Sequence, residues 1–181
     1  MDEREAIERL KRGDITGLEL LVRQHQLEAV RAAYLVTHDL ALAQDVVQSG
    51  FLKAYERIDQ FDATRPFGPW FYRTVLRDAI KAASRAARAA PLENLEHWSE
   101  PLDSGQRPDE AFEQAETAEE VAAVLRQLTP TDRAAIVARY FLGLSELEMS
   151  HRLKISRTTV RWRLHVARQR LRLLLNPLSS D

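Results

Sequence analysis

A proline- and acid-rich stretch at residues 89–111 interrupts a chain that otherwise carries helical periodicity almost throughout. It holds Pro91, Pro101 and Pro108, with Gly105, Ser99 and Ser104 among several acids, and that composition reads as a linker. So long an unstructured loop is unusual inside one compact domain. The 181 residues therefore divide into two small domains. Six glycines in the whole chain, with abundant Ala, Leu, Glu and Arg, favour helix over strand. No strand pattern and no internal repeat is present. The expected fold is all-α: two small helical domains joined by a flexible acidic linker, bounded at 1–88, 89–111 and 112–176, with a tail at 177–181.

Apolar spacing and end signals place the helices. Residues 2–12 form a short one, stopped by Gly13-Asp14. Residues 16–37 put Leu18, Leu21, Val22, Val30, Ala33 and Tyr34 on one stripe. Residues 40–59 do the same with Val47, Phe51, Tyr55 and Ile58. A loop at 60–65 precedes a helix over 66–88, since proline suits a first helical turn. After the linker, 112–128 is helical. Thr129-Pro130-Thr131-Asp132 reads as an N-cap, a proline at the first position and an acid in the first turn. That helix runs to Phe141 and stops at Gly143. Ser145-Glu146-Leu147-Glu148 is a capping box opening a short helix to Leu153. Ser156 caps a longer one to about Leu175, with Pro177 just beyond.

Charge is unevenly laid out. Residues 1–90 carry 14 basic and 13 acidic side chains, 91–128 carry 2 and 10, and 129–181 carry 10 and 4. Parts of such different charge imply different partners. The chain has no cysteine, which excludes disulfides and Cys-ligated zinc or iron–sulfur sites and fits a reducing cytoplasm. No apolar run approaches the ~18 residues of a membrane span. The charged start, residues 1–14, lacks a signal-peptide core. The histidines, His25, His38, His97, His151 and His165, form no metal-ligand spacing. No phosphate loop or nucleophile elbow appears. The expectation is a cytoplasmic protein that is not an enzyme, with no cofactor and no metal.

Residues 145–172 carry the strongest signal. A short capped helix, a three-residue turn and a second capped helix make the layout of a DNA-reading helix-turn-helix. Leu147, Leu153, Ile155, Val160 and Leu164 are spaced to form its small core. Residues 151–172 hold eight Lys or Arg and no acid, and cationic side chains gain affinity for duplex DNA by releasing its counterions. The turn that reaches base edges is Arg157-Thr158-Thr159, followed by Arg161 and Trp162. Arg bonds guanine in two places and Thr meets a thymine methyl. The competing reading is a cationic helix covered by acidic protein, with 91–128 as the cover. In that arrangement Glu110, Glu113, Glu116, Glu119 and Glu120 would shield the basic helix. For Trp162, an interface or core role competes with base stacking.

In the first half, Arg73, Arg77, Lys81 and Arg85 recur every four residues along one helix face, and Arg88 extends the stripe. Like charges so spaced repel, which points to a polyanion partner, with a merely solvated face as the alternative. Ahead of the stripe lie Phe61, Phe67, Trp70, Phe71 and Tyr72. Aromatics beside a basic groove can stack single-stranded bases, although most of these have a core to fill.

The order of these parts resembles the extracytoplasmic-function (ECF) sigma factors of bacterial RNA polymerase, over about 16–88 and 112–175. Residues 43–55 (AQDVVQSGFLKAY) resemble the family's polymerase-docking helix. Residues 58–62 and 65–73 resemble its loop and following helix. Leu128-Thr129-Pro130 and residues 139–145 resemble the approach to the helix-turn-helix, and residues 159–168 the recognition helix. The resemblance implies a sigma region 2-like domain in 1–88 and a region 4-like domain in 112–176. It implies polymerase binding through Asp45, Gln48, Phe51 and Leu52. It implies minus-ten promoter contacts through the loop Asp62, Ala63, Thr64 and Arg65, with Trp70, Arg73, Arg77 and Lys81. It implies minus-thirty-five contacts through Arg157, Thr158, Thr159, Arg161, Trp162 and His165. The implied partners are core RNA polymerase, promoter DNA as duplex and melted strand, and an anti-sigma factor.

This sequence departs from the family pattern in places. Ser49-Gly50 stands where Glu-Val is common, Arg77 and Lys81 where Asn and Asp are usual, and Ser150 and Lys154 where Ala and a turn Gly are usual. Gly50 inside a helix costs about 1 kcal/mol relative to Ala. A stand-alone helix-turn-helix regulator is the alternative function. It would leave the docking-like helix and loop of the first half without a purpose.

Overall fold

The computed structural model describes residues 2–89, 122–153 and 155–175. Expectations for the linker, for the acidic shield, for residues 112–121, for Lys154 and for the tail lie outside them. Seven helices have both ends described: α1 (Glu3–Lys11), α2 (Thr16–Thr37), α3 (Leu40–Glu56), α4 (Phe67–Ala89), α6 (Pro130–Ile136), α7 (Glu146–Leu153) and α8 (Arg157–Leu175). Residues 122–126 are helical and are labelled α5. No strand occurs among the described residues, and no described helix is long and apolar enough to cross a membrane.

The helix ends follow their caps. Asp2 accepts from Glu5 N–H at 2.7 Å and Asp39 from Leu42 N–H at 2.9 Å. Thr129 accepts from Asp132 N–H at 3.2 Å, and Ser156 from Thr159 N–H at 3.0 Å. Gly13 and Gly143 end their segments with φ of +84° and +64°, which only glycine adopts without strain. Two boundaries differ from the sequence reading. The expected 40–59 helix stops at Glu56 and continues as a 3₁₀ turn, Ile58–Gln60, because Arg57 leaves helical geometry at φ −114°, ψ 10°. The expected helix to Phe141 is α-helical only to Ile136, and Val137–Phe141 is wound as a wider π-turn.

In the first half, α2 packs against α1, α3 and α4. Phe71 is fully buried, stacked on Phe51 with ring centroids 4.2 Å apart and on Phe67 at 5.5 Å. Each buried ring contributes roughly 1.5–3 kcal/mol. Two glycines permit close helix approach. A Cβ at Gly17 would sit 2.2 Å from the Ala6 carbonyl oxygen, so α1 presses directly on α2. A Cβ at Gly50 would meet Phe71 and Val75 at 3.3 Å. Its helix-propensity cost is thus offset by closer seating of α3 on α4.

The halves do not stand apart. Helix α6 rests on α2 and α4, and α7 rests on α4, so the buried side chains of both halves form one contiguous cluster. Arg77 and Ile80 of α4 face Thr131, Ala135, Met149 and Val160 across a cavity of about 120 Å³. At the end of α2, His38 adopts the left-handed conformation, φ +55°, near the charges of Arg133 and Arg126 in the second half. Burial first, and then those two guanidiniums, push its pKa from 6.5 down to about 3. A base whose folded pKa is depressed is neutral in both states above 6.5. As pH falls from 6.5 towards 3, only the opened state takes the proton, and stability is lost. Acidification from pH 7.5 to 5 should therefore lower the melting temperature. His38→Asn, which tolerates the same backbone, should show a dependence shallower by one proton. Equal slopes for the two proteins would refute this.

Candidate nucleic-acid interface

Three surfaces carry the residues singled out from sequence. On α3, Asp45, Gln48 and Leu52 are exposed, Leu52 to 57%. Phe51, expected on this surface, is instead buried against Phe71. The reason is helical geometry, since Phe51 follows Val47 by four residues on the inward stripe.

The second surface is the loop before α4 with the helix behind it. Asp62 closes a tight turn, accepting from Thr64 N–H at 3.0 Å and from the Thr64 hydroxyl at 2.7 Å. Arg65 pairs with it at 3.2 Å. The Thr64 bonds, then Arg65 and Lys11, hold the Asp62 carboxyl below its ordinary pKa. Asp62, Thr64 and Arg65 are exposed and Ala63 is half-buried. Of the five aromatics, Phe61, Phe67, Phe71 and Tyr72 are buried, which settles them as core. Trp70 is half-buried, 4.9 Å from Phe61. Behind the loop, Arg77, Lys81, Arg85 and Arg88 are exposed and Arg73 is half-buried. Asp78 interrupts the stripe. It accepts from Lys53 at 2.6 Å, with Lys81 4.0 Å away. In this closed arrangement Arg65 borders the same surface depression as Leu147, Glu148 and His151 of α7.

The third surface is the helix-turn-helix. Its capping box forms as expected: Glu148 N–H donates to the Ser145 hydroxyl at 3.2 Å, and Ser145 N–H donates to the Glu148 carboxylate at 2.9 Å. Val160, Leu164 and Ala167 point inward, and Ile155 packs partly buried beside them. Leu147 was expected in this core and is 49% exposed, whereas Met149 is 1% exposed. Two residues turn a helix by about 200°, so the side chain facing α8 is Met149. The side chain of Leu153 is outside the description. Ser150 was noted only as a departure, yet its hydroxyl donates to the Ile155 carbonyl at 2.8 Å. It ties α7 to the backbone just ahead of α8.

On α8, Arg157, Thr158, Arg161, Trp162 and His165 are exposed and Thr159 is half-buried against Ser156. Trp162, at 60% exposure, is not a core aromatic. Several cations of this helix are already engaged. Arg161 donates to Glu146 at 2.7 Å, a bond that lowers the Glu146 pKa. Arg168 donates to the Tyr140 hydroxyl at 2.7 Å and lies 5.7 Å from its ring centroid. Arg170 meets the buried Asp132 at 3.1 Å, with Arg163 3.9 Å away. A protein cover for part of the basic helix therefore exists, supplied by Asp132, Glu146 and Tyr140. Sequence spacing gave no sign of these long-range pairs.

Residues 21–89 match the family model described as sigma-70 region 2, and residues 118–171 match sigma-70, region 4. The chain is 28% identical over 179 residues to the ECF RNA polymerase sigma factor SigW of Bacillus subtilis, covering 95% of this chain and 96% of that one. It is 29% identical over 186 residues to the RNA polymerase sigma-H factor of Pseudomonas aeruginosa, covering 99% and 96%. Among solved structures, CnrH in complex with the cytosolic domain of CnrY superposes with a TM-score of 0.68 at 25% identity, over 98% of this chain and 99% of that one. The sigma factor RpoE bound to the anti-sigma factor NepR, from Bartonella quintana, superposes at 0.63 and 18% identity, over 87% and 96%. The second of these establishes the fold alone.

The inward placement of Met149 and outward placement of Leu147 have a direct test. Met149→Ala should lower stability by about 2–5 kcal/mol, and Leu147→Ala by less than about 0.5 kcal/mol, in chemical denaturation. Comparable losses at both positions would mean that α7 is seated differently.

Proposed function

Because the chain belongs to the extracytoplasmic-function sigma factors and acts in transcription initiation, we propose that its three surfaces divide that task between polymerase, melted promoter strand and duplex promoter. The observation that carries this reading is the two-sidedness of α8. Val160, Leu164 and Ala167 are buried, while Arg157, Thr158, Arg161, Trp162 and His165 are exposed along its outer side. A major groove admits such a helix and distinguishes base pairs by their donors, acceptors and methyl groups. These residues, with Thr159 at the cap, read the minus-thirty-five element.

The loop of Asp62, Ala63, Thr64 and Arg65 captures an unstacked minus-ten base. An exposed turn with fixed hydroxyl and carboxylate groups can hydrogen-bond a base edge once the base has left the duplex. Trp70, Arg73, Arg77 and Lys81 follow the melted strand by stacking and charge. Asp45, Gln48 and Leu52 dock on core polymerase. The minus-ten and minus-thirty-five elements lie about 25 base pairs apart, or about 85 Å of duplex, whereas Arg77 and Val160 line one small cavity in the closed chain. Function on a promoter thus requires the halves to separate. Two of the solved relatives are bound to CnrY or to an anti-sigma factor, and we infer a partner of that kind here. The site of action is the cytoplasm, with polymerase, and the chain contributes binding rather than catalysis.

Co-elution with core RNA polymerase at one copy each, and initiation from a promoter library, test the reading. Separate elution of a folded chain would reject it. Within the active complex, Arg161→Ala should cost about 1–3 kcal/mol of preference at one minus-thirty-five base pair. Arg85→Ala should weaken all sequences alike and reduce the salt slope by about 1. Identical profiles for the two variants would remove Arg161 as a reader of bases.

A further inference from the structure

Helix α1 lies outside the residues matched to sigma-70 region 2, yet its two ends hold the two ends of the loop at 62–66. At the loop's entrance, Lys11 Nζ donates to the Phe61 carbonyl at 2.5 Å. At its exit, the Phe67 N–H, at the first residue of α4, donates to Glu3 Oε1 at 3.0 Å. The other oxygen of Glu3 meets His25 Nε2 at 2.8 Å, and His25 Nδ1 lies 3.1 Å from the Tyr72 hydroxyl. Tyr72 in turn donates to Glu28. Glu3 is thereby fixed from behind by groups on α2 and α4. Lys11 also acts electrostatically on Asp62, within the loop itself.

We propose that Glu3 and Lys11 are positioning residues for base selection at the minus-ten element, with α1 serving as a strut across the base of the loop. The proposal rests on the reading of Asp62–Arg65 as the base-capturing loop. Eight residues separate Glu3 from Lys11, about 12 Å along a helix axis, so one rigid body reaches both anchor points. The strut is itself fixed. Ala6, Ile7 and Leu10 are buried, and the absence of a side chain at Gly17 lets α2 come against the Ala6 carbonyl.

Between the anchors, the described side-chain bonds of the loop are internal ones, from Thr64 and Arg65 to Asp62. These shape the turn but do not aim it. Both anchors are charge-assisted bonds, which are shorter and stronger than neutral ones. Removing either lets the turn move as a unit while its internal geometry persists. Its groups would then meet several bases with similar ease, so preference should fall more than affinity.

The test is a transcription-initiation assay with the full chain and core polymerase on a promoter library randomised at both elements. Lys11→Met and Glu3→Ala should each reduce preference at the captured minus-ten base by about fivefold or more. Minus-thirty-five preference and polymerase affinity should stay at the parent level, and Lys11→Arg should restore the preference. A third protein, Asp62→Ala with Thr64→Ala, probes the loop directly. If this loop variant alters minus-ten preference and the folded α1 variants do not, the strut is refuted while the loop reading stands. If the loop variant also leaves preference intact, the loop reading fails and the strut with it. Equal losses at both promoter elements in the α1 variants would reduce α1 to general stabilisation and overturn the proposal.

Discussion

The seating of Phe71 between Phe51 and Phe67 fixes most of what the first half presents. With Phe71 buried and both neighbours stacked upon it, the rotation of α4 is set. Arg73 and Arg77 then point away from the core because they stand two and six residues further on. The same stack holds α3 through Phe51, so Asp45, Gln48 and Leu52 are turned to the flank of the helix, where they are exposed. Gly50 is the small residue that lets the two helices close on this stack. The exposed row of α3 and the arginine row of α4 thus share one aromatic core. A substitution there would disturb both together.

The second half solves a different problem, that of keeping a cationic helix folded before any polyanion arrives. Like charges at three- and four-residue spacing oppose helix formation, and α8 holds Arg157, Arg161, Arg163, Arg168, Arg170 and Arg172. The structure offsets this with Asp132, buried at the start of α6, and with Glu146 at the start of α7. Both acids also stand in the first turns of their helices, where negative charge is favourable. The exposed Glu146–Arg161 pair contributes little on its own. Its greater consequence is orientation, since Arg161 is held in one place on the face that Thr158 and Trp162 share.

Much of this was legible in the sequence, because caps and periodicity are local. Thr129, Ser145 and Ser156 cap where the pattern puts them, and the helix-turn-helix appears with its turn at the expected residues. Phe51 and Leu147 were misplaced for related reasons. Phe51 was assigned with its helix as a whole, although its spacing from Val47 marks it as inward. Leu147 was assigned by spacing within α7, and the choice between it and Met149 depends on where α8 lies. Ser150 was visible only as an oddity, until its bond across the turn to Ile155 gave it a purpose. Glu3, Lys11, Asp132 and Tyr140 were invisible, since each acts on a residue 28 to 64 positions away.

The two surfaces proposed to face DNA differ in how they are braced, and the difference fits the proposed tasks. A duplex presents its base edges in a fixed lattice, so a reading helix needs only correct rotation and a few oriented side chains. Packing of Val160, Leu164 and Ala167 supplies the first, and the Glu146–Arg161 pair the second. A base that has left the stack has no lattice to align it, so the protein must supply the missing order. The exposed turn at Asp62–Arg65 would be a poor selector if it hung freely, because loops are the most mobile parts of a fold. Its internal bonds make it a rigid tip, and the contacts from Lys11 and Glu3 give that tip a fixed base. The arginine stripe behind it needs no such bracing. Phosphates are read by charge, charge acts over several ångströms, and a strand sliding along Arg77, Lys81 and Arg85 loses little when one side chain shifts.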